Sequence, residues 1–240
     1  MLAPFSTYFL SEKAIVIQLG STIDDAIHHQ VINLNALLNH EPFEGFIETV
    51  PAYNTITIYY DPLPVYHSTA MKGHTAFEKV DNYLQNLVTK LPQNPVIKIK
   101  SLSIPVCYDA EMAPDLKWVA KCLNTSIENI IQLHTSSVYT VYMIGFAPGF
   151  PYMGRLDSRL SVPRKETPRA KVEPGSVGIA GEQTGIYPFA GPGGWQLIGR
   201  TPVTLFDPAK EDPVLLHPGD QVKFTSISRE EFYQMQPNPS

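Results

Sequence analysis

Residues 174–200 read PGSVGIAGEQTGIYPFAGPGGWQLIGR. Short β-rich runs at 176–180, 185–189 and 195–198 are each bounded by Gly or Pro, and helical periodicity is absent. The same texture extends to either side, with further β-rich runs at 137–143, 203–206 and 221–227. Many short strands punctuated by turn residues predict a closed or nearly closed β-barrel. Two helices precede most of these strands. Asp115 is placed to cap one that contains Leu116, Val119, Ala120 and Leu123. Thr125-Ser126-Ile127-Glu128 reads as a capping box for another that runs to Leu133.

Toward the N-terminus the pattern changes. Residues 14–19 form an apolar strand closed by Gly20, and Ser21 or Thr22 is placed to cap a helix whose Ile27, Val31, Leu34 and Leu38 share one face. Residues 46–50 and 55–60 read as a hairpin around Pro51-Ala52-Tyr53-Asn54. A second helix, about 75–91, carries Phe77, Val80, Leu84, Leu87 and Leu91 as its apolar stripe. A strand at 96–104 then either closes this sheet or opens the next domain. The order βαββαβ predicts a ferredoxin-like sandwich. The chain is therefore read as α+β in two domains, 1–95 and 96–240, joined at Pro92-Gln93-Asn94-Pro95.

Composition excludes several classes of function. The 240 residues are 43% hydrophobic and 17% charged, which supplies a core and rules out bulk disorder. The net charge of -5 argues against nucleic acid, whose phosphates call for a basic face. No apolar run approaches the roughly 18 residues of a membrane span. The first ten residues lack Lys and Arg and contain Pro4, so they make a poor signal peptide. Cys107 and Cys122 form no metal or redox motif and read as reduced thiols of a cytoplasmic protein.

Chemistry concentrates in 145–199, which holds eleven of the fifteen glycines. Barrel corners and bulges account for some of them. The run Gly145-Phe146-Ala147-Pro148-Gly149-Phe150-Pro151-Tyr152-Met153-Gly154 also pairs bare backbone with aromatics, as a ligand-enclosing loop does. Five of the six arginines lie in or beside this region. The guanidinium fork suits a carboxylate or phosphate, so the clustering points to an anionic ligand. Arg164 and Arg169 lead because Pro163 and Pro168 restrain the backbone before them; the alternative is that they face solvent. The binding candidates are Tyr142, Pro148, Gly149, Phe150, Arg164, Arg169, Gln183, Gly185, Tyr187 and Trp195. For Tyr187 and Trp195 a core role weighs equally. Neither a phosphate loop, a dinucleotide fingerprint, a nucleophile elbow nor a zinc-binding His pair is present, so no catalytic residue is assigned and no metal is expected. His134, after an apolar helix, reads as a helix-end or core residue.

The run 142–154 resembles the signature of the KipI/PxpB family, also called allophanate hydrolase subunit 1, a group related to carboxyltransferase subdomains. Val162-Pro163-Arg164, Thr167-Pro168-Arg169, residues 175–181, 183–188, 192–199 and 216–224, and Gly45-Phe46-Ile47-Glu48-Thr49-Val50-Pro51 are also similar to it. The resemblance implies a ferredoxin-like N-terminal domain joined to a cyclophilin-like β-barrel. It implies membership of a heteromeric, cytoplasmic 5-oxoprolinase complex with a PxpC/KipA-like and a PxpA-like subunit. That complex opens 5-oxo-L-proline to L-glutamate with ATP, and with Mg as the nucleotide's companion. Phosphorylation of the lactam oxygen would make the carbonyl carbon electrophilic. Arg164 or Arg169 would then neutralise anionic charge, while Gly149 or Gly185 amides would stabilise the oxyanion. The competing reading is a non-catalytic inhibitor of a sensor histidine kinase; fused relatives carry out carboxyl transfer to urea.

Overall fold

Alternating isoleucines build the first sheet. Ile15 and Ile17 of β2 (Ala14–Gln18) and Ile56 and Ile58 of β4 (Thr55–Tyr60) are fully buried on one face, as the two-residue period of a strand requires. The computed structural model describes residues 5–92 and 99–236. It adds β1 (Ser6–Ser11) and β3 (Phe46–Ala52), giving an antiparallel sheet in the order β1-β2-β4-β3. Val31, Leu34 and Leu38 of α1 (Asp25–His40) and Val80, Leu84 and Val88 of α3 (Ala76–Val88) pack on the isoleucines. Thr75 caps α3, its hydroxyl accepting from Glu78 N. Between β4 and α3, Asp61 and Pro62 start a short α2 (Pro62–His67).

Two expectations change here. The cap of α1 is Asp24, which accepts from Ile27 N at 2.9 Å, and not Ser21 or Thr22. The strand beside β2 is β1, from ahead of it in the chain, so the order is ββαββαα and not βαββαβ. Only one face of β1 meets the helices, through Thr7 on Asp81 and Phe9 on Phe77. Phe9 itself, like Tyr8 and Leu10, stays largely exposed, which left the strand without a legible alternation. Of the expected 96–104 strand, residues 99–104 are described, and β5 (Ser101–Cys107) belongs to the barrel. Residues 93–95 of the expected linker lie outside the described residues.

The chain divides into two compact units, 1–99 and 100–240. The second is built on a closed barrel. Its strands are β5, β6 (Val138–Ile144), β7 (Pro151–Gly154), β9 (Ser176–Ala180), β10 (Gln183–Ile186), β12 (Gln196–Arg200) and β13 (Gln221–Ile227), in the order β10-β7-β6-β13-β5-β12-β9. The β9–β10 hairpin closes the ring. The first and last strands, β5 and β13, run parallel from Ser101↔Gln221 to Cys107↔Ile227. Val106, Val141, Ile179, Ile198 and Phe224 fill the interior. Leu116 and Val119 of α4 (Leu116–Cys122) and Ile130 and Leu133 of α5 (Ile127–Ser136) extend the same core.

A ribbon of β8 (Arg169–Val172) and β11 (Gly191–Gly193) stands beside the barrel. The expected strand at 203–206 is absent, and Phe206 makes only an isolated bridge to Val214. The α5 cap is Ser126, one residue later than the capping-box reading placed it. A true capping box starts α6 (Arg229–Met235) at Ser228 and Glu231. The four-residue strands β7 and β8 are too short to show alternation.

One polar chain crosses the barrel core. Thr184 Oγ1 donates to Gly178 O at 3.1 Å and must therefore accept from His134 Nε2, also at 3.1 Å. Nδ1 of His134 is then free to accept from the Tyr108 hydroxyl at 2.7 Å. The imidazole lies fully buried and stacked on Phe224, with ring centroids 4.5 Å apart. Burial drives its pKa down to about 3 from the ordinary 6.5. The folded state thus refuses a proton that the unfolded chain accepts below pH 6.5. This contribution to stability is complete above pH 6.5 and declines as pH falls toward 3, by about 1.4 kcal/mol per pH unit. His134→Gln removes the titration. Its melting temperature should fall less steeply than wild type between pH 7 and pH 4.5, as followed by circular dichroism. Parallel pH profiles for the two proteins would exclude His134 as a source of acid lability.

Candidate functional site

The aromatics of 150–195 converge because glycines make room for them. A Cβ on Gly185 would stand 2.8 Å from the Phe150 ring, and one on Gly193 would stand 2.7 Å from the Tyr187 hydroxyl. With those positions bare, Phe150, Tyr187 and Trp195 sink to 1%, 3% and 5% exposure. Phe150 sits centrally, edge-on to Tyr152 (4.9 Å), Tyr187 (5.1 Å) and Trp195 (5.6 Å). The geometry is the one that ring quadrupoles favour. Above this floor opens a cavity of about 290 Å³. Its remaining walls are Phe146, Arg164, Lys165, Pro168, Pro192, Gly193 and Gly194.

Two of the lining residues are cations and none is a carboxylate. Arg164 is exposed, with its guanidinium carbon 5.8 Å from the centre of the Trp195 ring. Lys165 is fixed by its backbone N–H, which donates to Gly194 O at 2.8 Å. The Tyr187 hydroxyl titrates above its ordinary 10.0, chiefly through burial, although the backbone N–H of Trp195 and the charge of Arg164 pull it down. It is therefore a neutral phenol at physiological pH. The cavity thus combines apolar ring faces with positive charge, an arrangement that accepts a compact anion.

Asp115 organises the wall behind this cavity. It lies 5% exposed at the start of α4, yet its side chain does not cap the helix, contrary to the expectation from sequence. Oδ1 instead accepts from Arg169 Nη2 at 2.5 Å and lies 3.5 Å from Lys165 Nζ. Oδ2 accepts from Leu197 N at 2.7 Å, and Asp115 N donates back to Leu197 O. Arg169 is accordingly committed to a buried carboxylate, and of the two favoured arginines Arg164 alone lines the cavity.

Of the ten residues singled out from sequence, Phe150, Arg164, Tyr187 and Trp195 meet at this cavity. The other six stand elsewhere. Tyr142 is buried in β6 with its ring over Gly154. Pro148 is exposed in the loop before β7, and Gly149 turns there at φ 77 against Phe206. Gln183 starts β10 opposite Ala180. Gly185 is paired to both β7 and β9 inside the barrel wall, so neither it nor Gly149 lines the cavity as an oxyanion donor would. Phe146, Tyr152 and Lys165 line the cavity but were not singled out, although each adjoins or lies within a motif that was. Asp115 gave no local signal beyond that of a helix cap.

The model of the carboxyltransferase domain, subdomain C and D, matches residues 5–216. The B-type subunit of 5-oxoprolinase from Bacillus subtilis (strain 168) is 42% identical over 224 residues, covering 93% of each chain. Its counterpart from Haemophilus influenzae is 40% identical over 215 residues, covering 90% of this chain and 94% of the relative. The crystal structure of TTHA0988 superimposes with a TM-score of 0.76 at 32% identity, over 99% of this chain but only 41% of that longer one. The Kluyveromyces lactis urea carboxylase, at 20% identity and a TM-score of 0.71 over 92% of this chain and 22% of that chain, shares the fold. With matches of this extent to a domain model and to 5-oxoprolinase subunits of nearly equal length, the chain belongs to the PxpB/KipI family of carboxyltransferase subdomain C and D proteins.

Proposed function

We propose that this chain is the B-type subunit of an ATP-dependent 5-oxoprolinase and that its aromatic cavity holds 5-oxo-L-proline for opening to L-glutamate. The observation that carries the site assignment is the charge of the cavity: two cations and no carboxylate over a floor of aromatic rings. 5-Oxoproline is a small apolar ring bearing one carboxylate. Arg164 holds that carboxylate, Lys165 beside it being already paired with Asp115, while Trp195, Tyr152 and Phe150 enclose the ring. The relatives of matching length, each termed a B-type subunit of 5-oxoprolinase, support the same reaction.

The cavity lies at the small end of the roughly 300–1,000 Å³ range of ligand sites, which suits this substrate better than a nucleotide. No group of three or more His, Cys, Asp or Glu among the described residues could hold a metal ion. The cavity lining also lacks a carboxylate that could reach the Mg of a bound nucleotide. The complex is heteromeric, with PxpC/KipA-like and PxpA-like subunits completing it in the cytoplasm. No helix among the described residues is long and apolar enough to cross a membrane. In this reading the N-terminal domain, 1–95, is a variant of the ferredoxin-like sandwich in which β1 occupies the edge that a last strand would take. The domain 96–240 is a cyclophilin-like barrel.

Co-expression with both partner subunits should yield 5-oxoproline-dependent phosphate release, whereas the isolated chain should show none. Turnover by the isolated chain would overturn the subunit reading. Inside the complex, Arg164→Ala should raise KM for 5-oxoproline about ten- to a hundredfold, the loss of one charge-assisted contact. Its stability should shift by less than about 0.5 kcal/mol, as for other exposed side chains. Arg169→Ala should instead cost about 1–3 kcal/mol of stability by stripping a partner from buried Asp115. Arg159→Ala, which breaks only an exposed pair with Asp157, is the neutral control. An unchanged KM in Arg164→Ala would remove the carboxylate site from this cavity.

A further inference from the structure

Phe146 holds a backbone conformation that a bulky side chain disfavours. Its φ is +64°, in the left-handed region where a bulky side chain is an outlier. Ala147 N donates to Gly145 O at 2.7 Å, closing a three-residue turn around it. A γ-turn with positive φ at its centre is the rare, strained form. The turn is pinned from outside by Gly145 N on Phe150 O and Phe150 N on Ala147 O, at 3.1 and 3.0 Å. The strain gains little burial in return, because Phe146 is 64% exposed. Among the described residues, the other positive-φ residues that are not glycine have local roles or polar side chains: Tyr53 turns a hairpin, Asn124 follows a helix end, and Arg155 is exposed.

Its position supplies the missing reason. The ring stands at the mouth of the aromatic cavity, edge-on to Phe150 at 5.4 Å and to Tyr187 at 6.3 Å. Backbone strain of this kind clusters at ligand sites, where it holds a group in place. We propose that Phe146 is a substrate-contact residue whose ring covers the apolar face of 5-oxoproline, with the strained turn holding it over the opening before substrate arrives. The inference rests on the cavity being the 5-oxoproline site. Its consequence is selectivity for a compact ring with one carboxylate over open-chain dicarboxylates such as glutamate, whose second charge would be pressed against an aromatic face.

The test uses the assembled complex for kinetics and the purified chain for melting. Phe146→Gly and Phe146→Ala both remove the ring, but only Ala retains the Cβ that makes positive φ costly. Both should raise KM for 5-oxoproline about tenfold, equivalent to one lost contact, and both should weaken discrimination against glutamate as an inhibitor. Phe146→Gly should melt at or above the wild-type temperature, and Phe146→Ala below Phe146→Gly. Phe146→Tyr should keep the wild-type KM. An unchanged KM in Phe146→Gly, while Arg164→Ala raises it, would overturn the Phe146 assignment and leave the cavity assignment standing. An unchanged KM in both variants would overturn the cavity reading as well. A lower melting temperature for Phe146→Gly than for wild type would make Phe146 structural. Loss of co-purification with the partner subunits would make it an interface residue, and either result defeats the proposal.

Discussion

A buried carboxylate must be neutralised or it costs several kcal/mol, and the manner in which Asp115 is neutralised sets the architecture of the site. One oxygen draws in Arg169 and Lys165, and the other takes the Leu197 N–H. The start of α4, the start of β8 with the segment before it, and strand β12 are thereby tied to one point. Trp195 lies two residues before Leu197, and Arg164 lies immediately before Lys165. The interaction consequently fixes the backbones that carry both the aromatic wall and the free cation. It also divides the labour among the basic residues, with Arg169 committed to structure and Arg164 left at the cavity.

Glycine and aromatic residues are divided in the same way. A glycine-rich segment invites the interpretation that bare backbone serves the ligand. At Gly185 and Gly193 the bare backbone serves Phe150 and Tyr187, which occupy the space a Cβ would fill. Packing rings against backbone in this way yields a floor that is almost fully buried. The strained turn at Phe146 stands beside this buried floor.

The polar chain across the barrel core obeys the rule that buried donors and acceptors find partners. Tyr108, His134 and Thr184 form a directional chain that ends on the Gly178 carbonyl. Because each member is satisfied, the imidazole is neutral and inert. A histidine in a barrel is here a packing element stacked on Phe224, with its cost appearing only in acid.

Local pattern was enough for those features that depend on near neighbours. The apolar stripes of α1 and α3, the hairpin at 46–60, the Gly/Pro-bounded strands 176–180 and 221–227, and the gathering of aromatics and arginines in 145–200 all repeat over a few residues. Family membership followed from the same motifs. What depended on distant partners was not legible. Arg169 and Asp115 are 54 positions apart, and Asp115 and Leu197 are 82 apart, so nothing near either residue separates a buried ion pair from a ligand contact or a helix cap. The edge partner of β2 was undecidable for a similar reason, since a strand's alternation specifies which face is buried but not which strand lies beside it. The sequence by itself determined the kinds of surface this protein can make. The tertiary structure alone decided which charges are paired inside it and which remain for a ligand, because that choice depends on burial and on partners brought together only by folding.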